Sequence, residues 1–186
     1  MASTQPAAAP ALAELMKDAA LAGHWTLDPD RSSVSLHSKS IGGLVRVNGV
    51  FRQVTGEGSV SPAGEAGGTI TVAAATVDTK NVKRDTHLRS ADFFDSDNYP
   101  DITFTAEGVR LSGPSDPAVT VTGTLSVRDR TRPLTFGATA AVQDNGEVWL
   151  DAQVGINRAD FGLTWNRLGL VGTDNMIKVH AVFTRR

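Results

Sequence analysis

The chain has 186 residues, 40% of them hydrophobic and 20% charged, the composition of one folded domain and not of a disordered segment or membrane bundle. A formal net charge of −2 leaves no basic footprint for nucleic acid. The absence of cysteine excludes a disulfide framework, a thiolate metal site and a cysteine nucleophile.

In chain order, residues 1–10 carry no Lys or Arg, and the stretch from Ala7 to Ala13 is small and broken by Pro10. No secretory leader is expected from this pattern, and a cytoplasmic location is the expectation. Leu12, Leu15, Met16 and Ala19 fall at i, i+3, i+4 and i+7, one face of a short helix packed on the outside of the domain. Leu21 sits on the opposite side, and Gly23 serves as a helix stop. Residues 1–23 thus read as an N-terminal extension with a short helix, and 24–186 as the domain.

From Trp25 onward apolar residues alternate, with turn clusters at Ser61-Pro62-Ala63-Gly64, Ser112-Gly113-Pro114 and Asp144-Asn145-Gly146. About eight strands and little helix predict an antiparallel barrel or sandwich. In the strand from Ile102, the apolar phase is even through Phe104 and Ala106 and odd at Val109 and Leu111, which requires a bulge near Gly108.

Alternation also predicts pairing, because a one-residue slip turns every apolar side chain outward. A two-residue Asn145-Gly146 loop would set Val142 against Trp149. A three-residue loop, with Gly146 left-handed, instead pairs Val142 with Val148, Ala140 with Leu150, Ala138 with Ala152 and Phe136 with Val154. The three-residue loop keeps the apolar phase. The same logic across the turn between Arg128 and Pro133 pairs Leu125 with Phe136, Gly123 with Ala138 and Val121 with Ala140. Gly123, Ala138 and Ala152 then form a row of small residues on the apolar face, with Ala140 and Ala74 as further small positions. Either a bulky group packs onto the row, or the row lines a lumen that a ligand fills.

Residues 78–101 break the strand rhythm. Asp85 is the expected cap of a short helix near 84–95, with Leu88 and Phe93 directed at the barrel. Asp85, His87 and Ser90 suggest a hydrolase, but one helical turn scatters them, and no nucleophile elbow is present. His24, His37, His87 and His180 are dispersed, so no metal is expected. Lys80, Lys83, Arg84 and Arg89 either neutralise a phosphate head group or form a solvated charged face.

The residues Thr79, Asn81, Arg84-Asp85, His87-Leu88-Arg89-Ser90 and Asp92-Phe93-Phe94-Asp95, followed by Tyr99-Pro100, Ile102 and Phe104, resemble the signature of the YceI-like family. Trp25, Leu27-Asp28, Gly49, Phe51, Val54, Gly56, Gly123, Leu125, Thr131, Pro133 and the run Asn157-Arg158, Asp160-Phe161-Gly162 extend the resemblance over residues 25–186. It implies an all-β, elongated, antiparallel eight-stranded lipocalin-like barrel. Such a barrel encloses a polyisoprenoid or related long-chain lipid and has no assigned catalytic residue. The sequence departs from the family pattern at Arg31 (His is usual before the serine), at Val54 (an aromatic is usual) and at Asp129 (a glycine is usual).

On that implication the protein is a non-catalytic carrier of a long-chain isoprenoid. The expected ligand contacts are Leu36, Val47, Val72, Phe104, Val121, Gly123, Leu125, Phe136, Ala138, Ala140, Leu150, Ala152, Val154 and Phe183. The alternatives are a fatty-acid or quinone carrier, or an enzyme acting on the lipid head group with His87 as base. No cofactor is expected beyond the lipid. A homodimer is a further expected partner arrangement.

Overall fold

A computed structural model describes residues 12–40, 44–113, 117–166 and 171–186. The segment read as lacking a leader, and Pro114 of the second turn cluster, lie outside the described residues. The elements in chain order are α1 (Leu12–Lys17), β1 (Gly23–Leu27), β2 (Ser33–Ser40), β3 (Val45–Phe51), β4 (Val54–Val60), β5 (Ala66–Ala73) and β6 (Val77–Asp78). Then come α2 (Val82–Arg89), β7 (Asp101–Leu111), β8 (Ala118–Val127), β9 (Arg130–Val142), β10 (Val148–Asn157) and β11 (Val171–Arg185).

The ladder runs β1-β4-β5-β7-β8-β9-β10-β11, and β11 pairs back onto β1 to close an eight-stranded antiparallel barrel. Closure leaves those strands without a free edge. β2 and β3 extend β1 and β4 along the wall: β2 pairs with the first part of β11, as β1 does with its end. The two-residue β6 lies on β3 at Val50 and Phe51. The all-β expectation therefore stands. At the α1 end lie α1 and the β9–β10 hairpin; at the α2 end lie α2, the β8–β9 turn, the end of β2 and the start of β3.

The β9–β10 register matches the three-residue loop. Val142 faces Val148, Ala140 faces Leu150, and Ala138 faces Ala152. Gly146 has φ of 83° and donates its N–H to the Gln143 carbonyl at 2.8 Å. The bulge also lies where the phase change demands it, the β7–β8 register shifting between Ala106 and Gly108.

Three expectations need correction. First, the β8–β9 turn is only Arg128-Asp129, so Leu125 faces Arg132, Gly123 faces Leu134, Val121 faces Phe136 and Val119 faces Ala138. The left-handed residue there is Arg128, at φ 56°, and not Asp129. Gly123 consequently leaves the small row, of which only the Ala138–Ala152 pair remains. Second, α2 is capped by Asn81, whose side chain accepts the Arg84 N–H. Asp85 instead is buried, accepting the Thr79 backbone N–H at 2.9 Å and the Thr79 hydroxyl. The helix ends at Arg89, and the chain then turns back through bonds such as Asp95 N–H to the Ser90 carbonyl. Third, α1 ends at Lys17, and Ala19 takes a left-handed φ of 54°. That turn redirects the chain so that Leu21 is buried, and its carbonyl accepts the Trp25 indole N–H at 3.0 Å.

Candidate functional site

Inward positions of an eight-stranded barrel leave space for side chains or for one small ligand. Here they leave a cavity of about 540 Å³. Twelve of the fourteen sequence candidates lie on its wall: Leu36, Val47, Val72, Phe104, Val121, Leu125, Phe136, Ala140, Leu150, Ala152, Val154 and Phe183. Gly123 and Ala138 do not. A Cβ on Gly123 would stand 2.0 Å from the Thr105 carbonyl oxygen and 2.9 Å from the Phe104 ring. Its smallness therefore serves the close approach of β7, with Phe104 covering it and stacking at a tilt on Phe136, centroids 5.3 Å apart. This is the packing explanation for a small residue, and it holds at Gly123. Ala138 lines a separate recess, shared with Ser33, Thr120 and Lys178.

The structure adds wall residues that alternation along the strands did not single out, most of them from helices and loops. At the α1 end, Leu12, Met16, Leu21 and Trp25 line the cavity. The apolar face of α1 is thus turned into the barrel end and not merely laid on its outside. At the α2 end the lining includes Arg84, His87, Leu88, Phe93, Arg158 and Trp165. Leu88 and Phe93 are inward as expected.

That end also gathers the cavity's basic side chains. His87 Nε2 is 2.9 Å from Asp92 Oδ2, and its ring meets Trp165 and Phe93 edge-on, with centroids 4.4 and 5.1 Å away. Arg158 is buried and lies over the Phe93 ring at 5.6 Å. Its Nε donates to the Gly172 carbonyl at 3.0 Å, Nη2 to the Val171 carbonyl at 3.1 Å, and Nη1 to the Leu163 carbonyl. Among the described residues no carboxylate pairs with it, and burial lowers its pKa. A guanidinium nonetheless stays protonated, so a fixed positive charge stands at one end of an apolar chamber. Arg84, one helical turn before His87, donates to the hydroxyl and the carbonyl of Thr79 at 2.7 and 2.8 Å.

The basic group of the α2 segment therefore splits. Arg84 faces the cavity, Arg89 donates to the Val77 carbonyl, and Lys80 contacts Asp78. The residues weighed for hydrolysis are likewise separated. Asp85 is bound to Thr79, and the Ser90 hydroxyl donates to the His87 carbonyl at 2.7 Å, not to its ring. Arg31, the first departure from the family pattern, bridges Asp28 and Glu147 and so ties the β1–β2 connection to the β9–β10 hairpin. These pairings raise the Arg31 pKa and lower those of Asp28 and Glu147.

Comparison with known proteins gives a consistent result. The family model of the YceI-like domain matches residues 25–183. A UPF0312 protein of Staphylococcus aureus strain MSSA476 is 30% identical over 152 residues, which are 77% of this chain and 84% of that protein. BcnA of Burkholderia cenocepacia superposes with a TM-score of 0.75 at 24% identity, covering 84% of this chain and 98% of its own. A polyisoprenoid-binding domain from Saccharophagus degradans gives 0.71 at 17% identity, over 87% of this chain and 98% of that one. At these identities the two structures establish the fold.

Proposed function

The chain belongs to the YceI-like domain family, and on that premise we propose that it is a non-catalytic carrier holding one long-chain isoprenoid lipid in its barrel. The observation that carries this reading is the cavity of about 540 Å³, walled by aliphatic and aromatic side chains from the strands and both helical segments. β10 contributes ten residues, Val148–Asn157, a span of roughly 33 Å at the usual rise. That length suits a chain more than a compact metabolite. Each methylene removed from water contributes about 0.8 kcal/mol gross, so apolar contact alone supplies affinity. The basic side chains Arg84, His87 and Arg158 on the wall support a polar head at the α2 end. The likeness to a polyisoprenoid-binding domain supports an isoprenoid over a straight acyl chain.

The test is mass spectrometry of solvent extracts from the purified protein, followed by reloading of the delipidated protein. A co-purified isoprenoid, and uptake of an added one, are expected. A fatty acid or a quinone in its place would change the ligand class. No lipid above a matched control, together with no uptake, overturns the proposal. The His87–Asp92 pair favours one second reading, an enzyme acting on the head group. Turnover of a bound lipid that disappears in His87→Ala, with lipid retention unchanged, would establish it.

A further inference from the structure

The α2 end carries a feature that enclosing a lipid does not use. Leu44, just before β3, is 85% exposed, and Val82, at the start of α2, is 82% exposed. They are the two most exposed large hydrophobic residues among those described. β3 connects the two positions. Thr79 seats against Gly49, where an added Cβ would stand 2.9 Å from the threonine methyl, and Arg84 in the first turn of α2 hydrogen-bonds Thr79. The start of α2 therefore lies along β3, whose other end leads to Leu44.

Cations accompany both. Lys39 and Arg46 face each other across β2 and β3, Arg46 two residues after Leu44, and Lys83 follows Val82. Among the described residues none of these three is ion-paired. Of the acids beside these cations, Asp78 is paired with Arg52 and Lys80, and Asp174 accepts the Asn157 amide.

We propose that the α2 end docks the protein on an anionic lipid bilayer, with Leu44 and Val82 entering the interface and Lys39, Arg46 and Lys83 on the head groups. Apolar side chains beside cations are the chemistry by which peripheral segments bind anionic membranes. The shape favours a bilayer over a protein. Leu44 and Val82 are single exposed aliphatic side chains, whereas protein interfaces centre on packed, desolvated pockets with aromatic or arginine anchors. Val45 lies on the cavity wall and is 39% exposed, and Ser38, Val47 and Val171 belong to the same part of that wall. Docking would thus bring this part of the cavity wall up to the bilayer. That consequence rests on the carrier reading, whereas the docking itself does not.

The experiment is co-sedimentation of the full chain with phosphatidylcholine vesicles, with and without phosphatidylglycerol. Binding to the anionic vesicles only, weakened by salt, is expected. Lys39→Ala, Arg46→Ala and Lys83→Ala should each lower the partition coefficient about fivefold, and Leu44→Asp with Val82→Asp should abolish binding. All five residues are at the surface, so uptake of an added isoprenoid from ethanol, measured in parallel, should be unchanged. Vesicle binding without lipid uptake upholds the docking and removes the carrier reading; uptake without vesicle binding does the reverse. Equal binding to neutral vesicles overturns the proposal. So does a dimer in sedimentation velocity that Leu44→Asp dissociates, since a second copy would then occupy this surface.

Discussion

At the scale of single residues, Asp78 shows how a short element is held. β6 has only two paired positions on β3, and Asp78 adds the side-chain links. Its carboxylate accepts the Lys80 backbone N–H at 2.8 Å and the Arg52 Nε at 2.8 Å. The backbone bond first, and then Arg52, hold its pKa at about 2, below the ordinary 3.8. Because the folded value is the lower one, this carboxylate contributes stability that is fully present above the unfolded pKa and is lost as pH falls through the folded one. The urea midpoint of the wild type should therefore exceed that of Asp78→Asn above about pH 4 and converge with it toward pH 2, the window set by the two values. A difference between the two proteins that persists unchanged at pH 2 would mean that the carboxylate charge plays no part.

At the scale of elements, two neighbouring hairpins mark what could be read from the sequence. The β9–β10 loop was legible because Gly146 supplies the left-handed residue that a three-residue turn demands, and because strong alternation flanks it. The β8–β9 turn was not. Its left-handed residue is Arg128, and a side chain in that conformation costs roughly 1–2 kcal/mol, so local preference argued for a longer loop. What offsets the strain is distant in sequence. Arg128 Nη1 donates to the Ala91 and Phe93 carbonyls at 3.2 Å each, its guanidinium lies 3.9 Å from the Asp95 carboxylate, and it stands over the Tyr99 ring at 5.7 Å. Four residues of register, and with them the position of Gly123, followed from contacts that alternation does not encode. The cavity wall divides in the same way, since strands such as β10, through Leu150, Ala152 and Val154, obeyed period 2 while Trp165, Arg158 and Leu21 came from turns set by tertiary packing. Arg128→Gly should separate the two roles. The hairpin register, read from cross-strand contacts between Val121 and Phe136, should persist because glycine accepts the conformation. Amide exchange at Phe94 and Asp95 should quicken, because the anchor on residues 91–95 is gone. A shifted register would show that the anchor, and not the turn, selects the pairing.

At the scale of the whole molecule, a closed barrel around a cavity separates stability from binding. The buried clusters form a shell, one around Leu27, Val54 and Val77, one around Val119, Val121 and Val154, and one around Leu125, Phe161 and Leu163. Added volume should therefore have opposite consequences depending on where it points. Ala152 is the position to use, since it lines the cavity midway along β10 and faces Ala138 across the ladder. A ring forced into a filled core costs about 1–3 kcal/mol through strained rotamers and backbone shifts. A ring entering an open chamber meets no such resistance and gains contacts along the wall. Ala152→Phe should then leave the delipidated barrel as stable as the wild type or slightly more so, while isoprenoid uptake falls at least about tenfold, or roughly 1.4 kcal/mol. Both proteins must be stripped of lipid first, because a ligand that binds only the folded state raises the melting temperature by mass action. Undiminished uptake with a lowered melting temperature would place the lipid away from Ala152 and assign that stretch of the wall to packing.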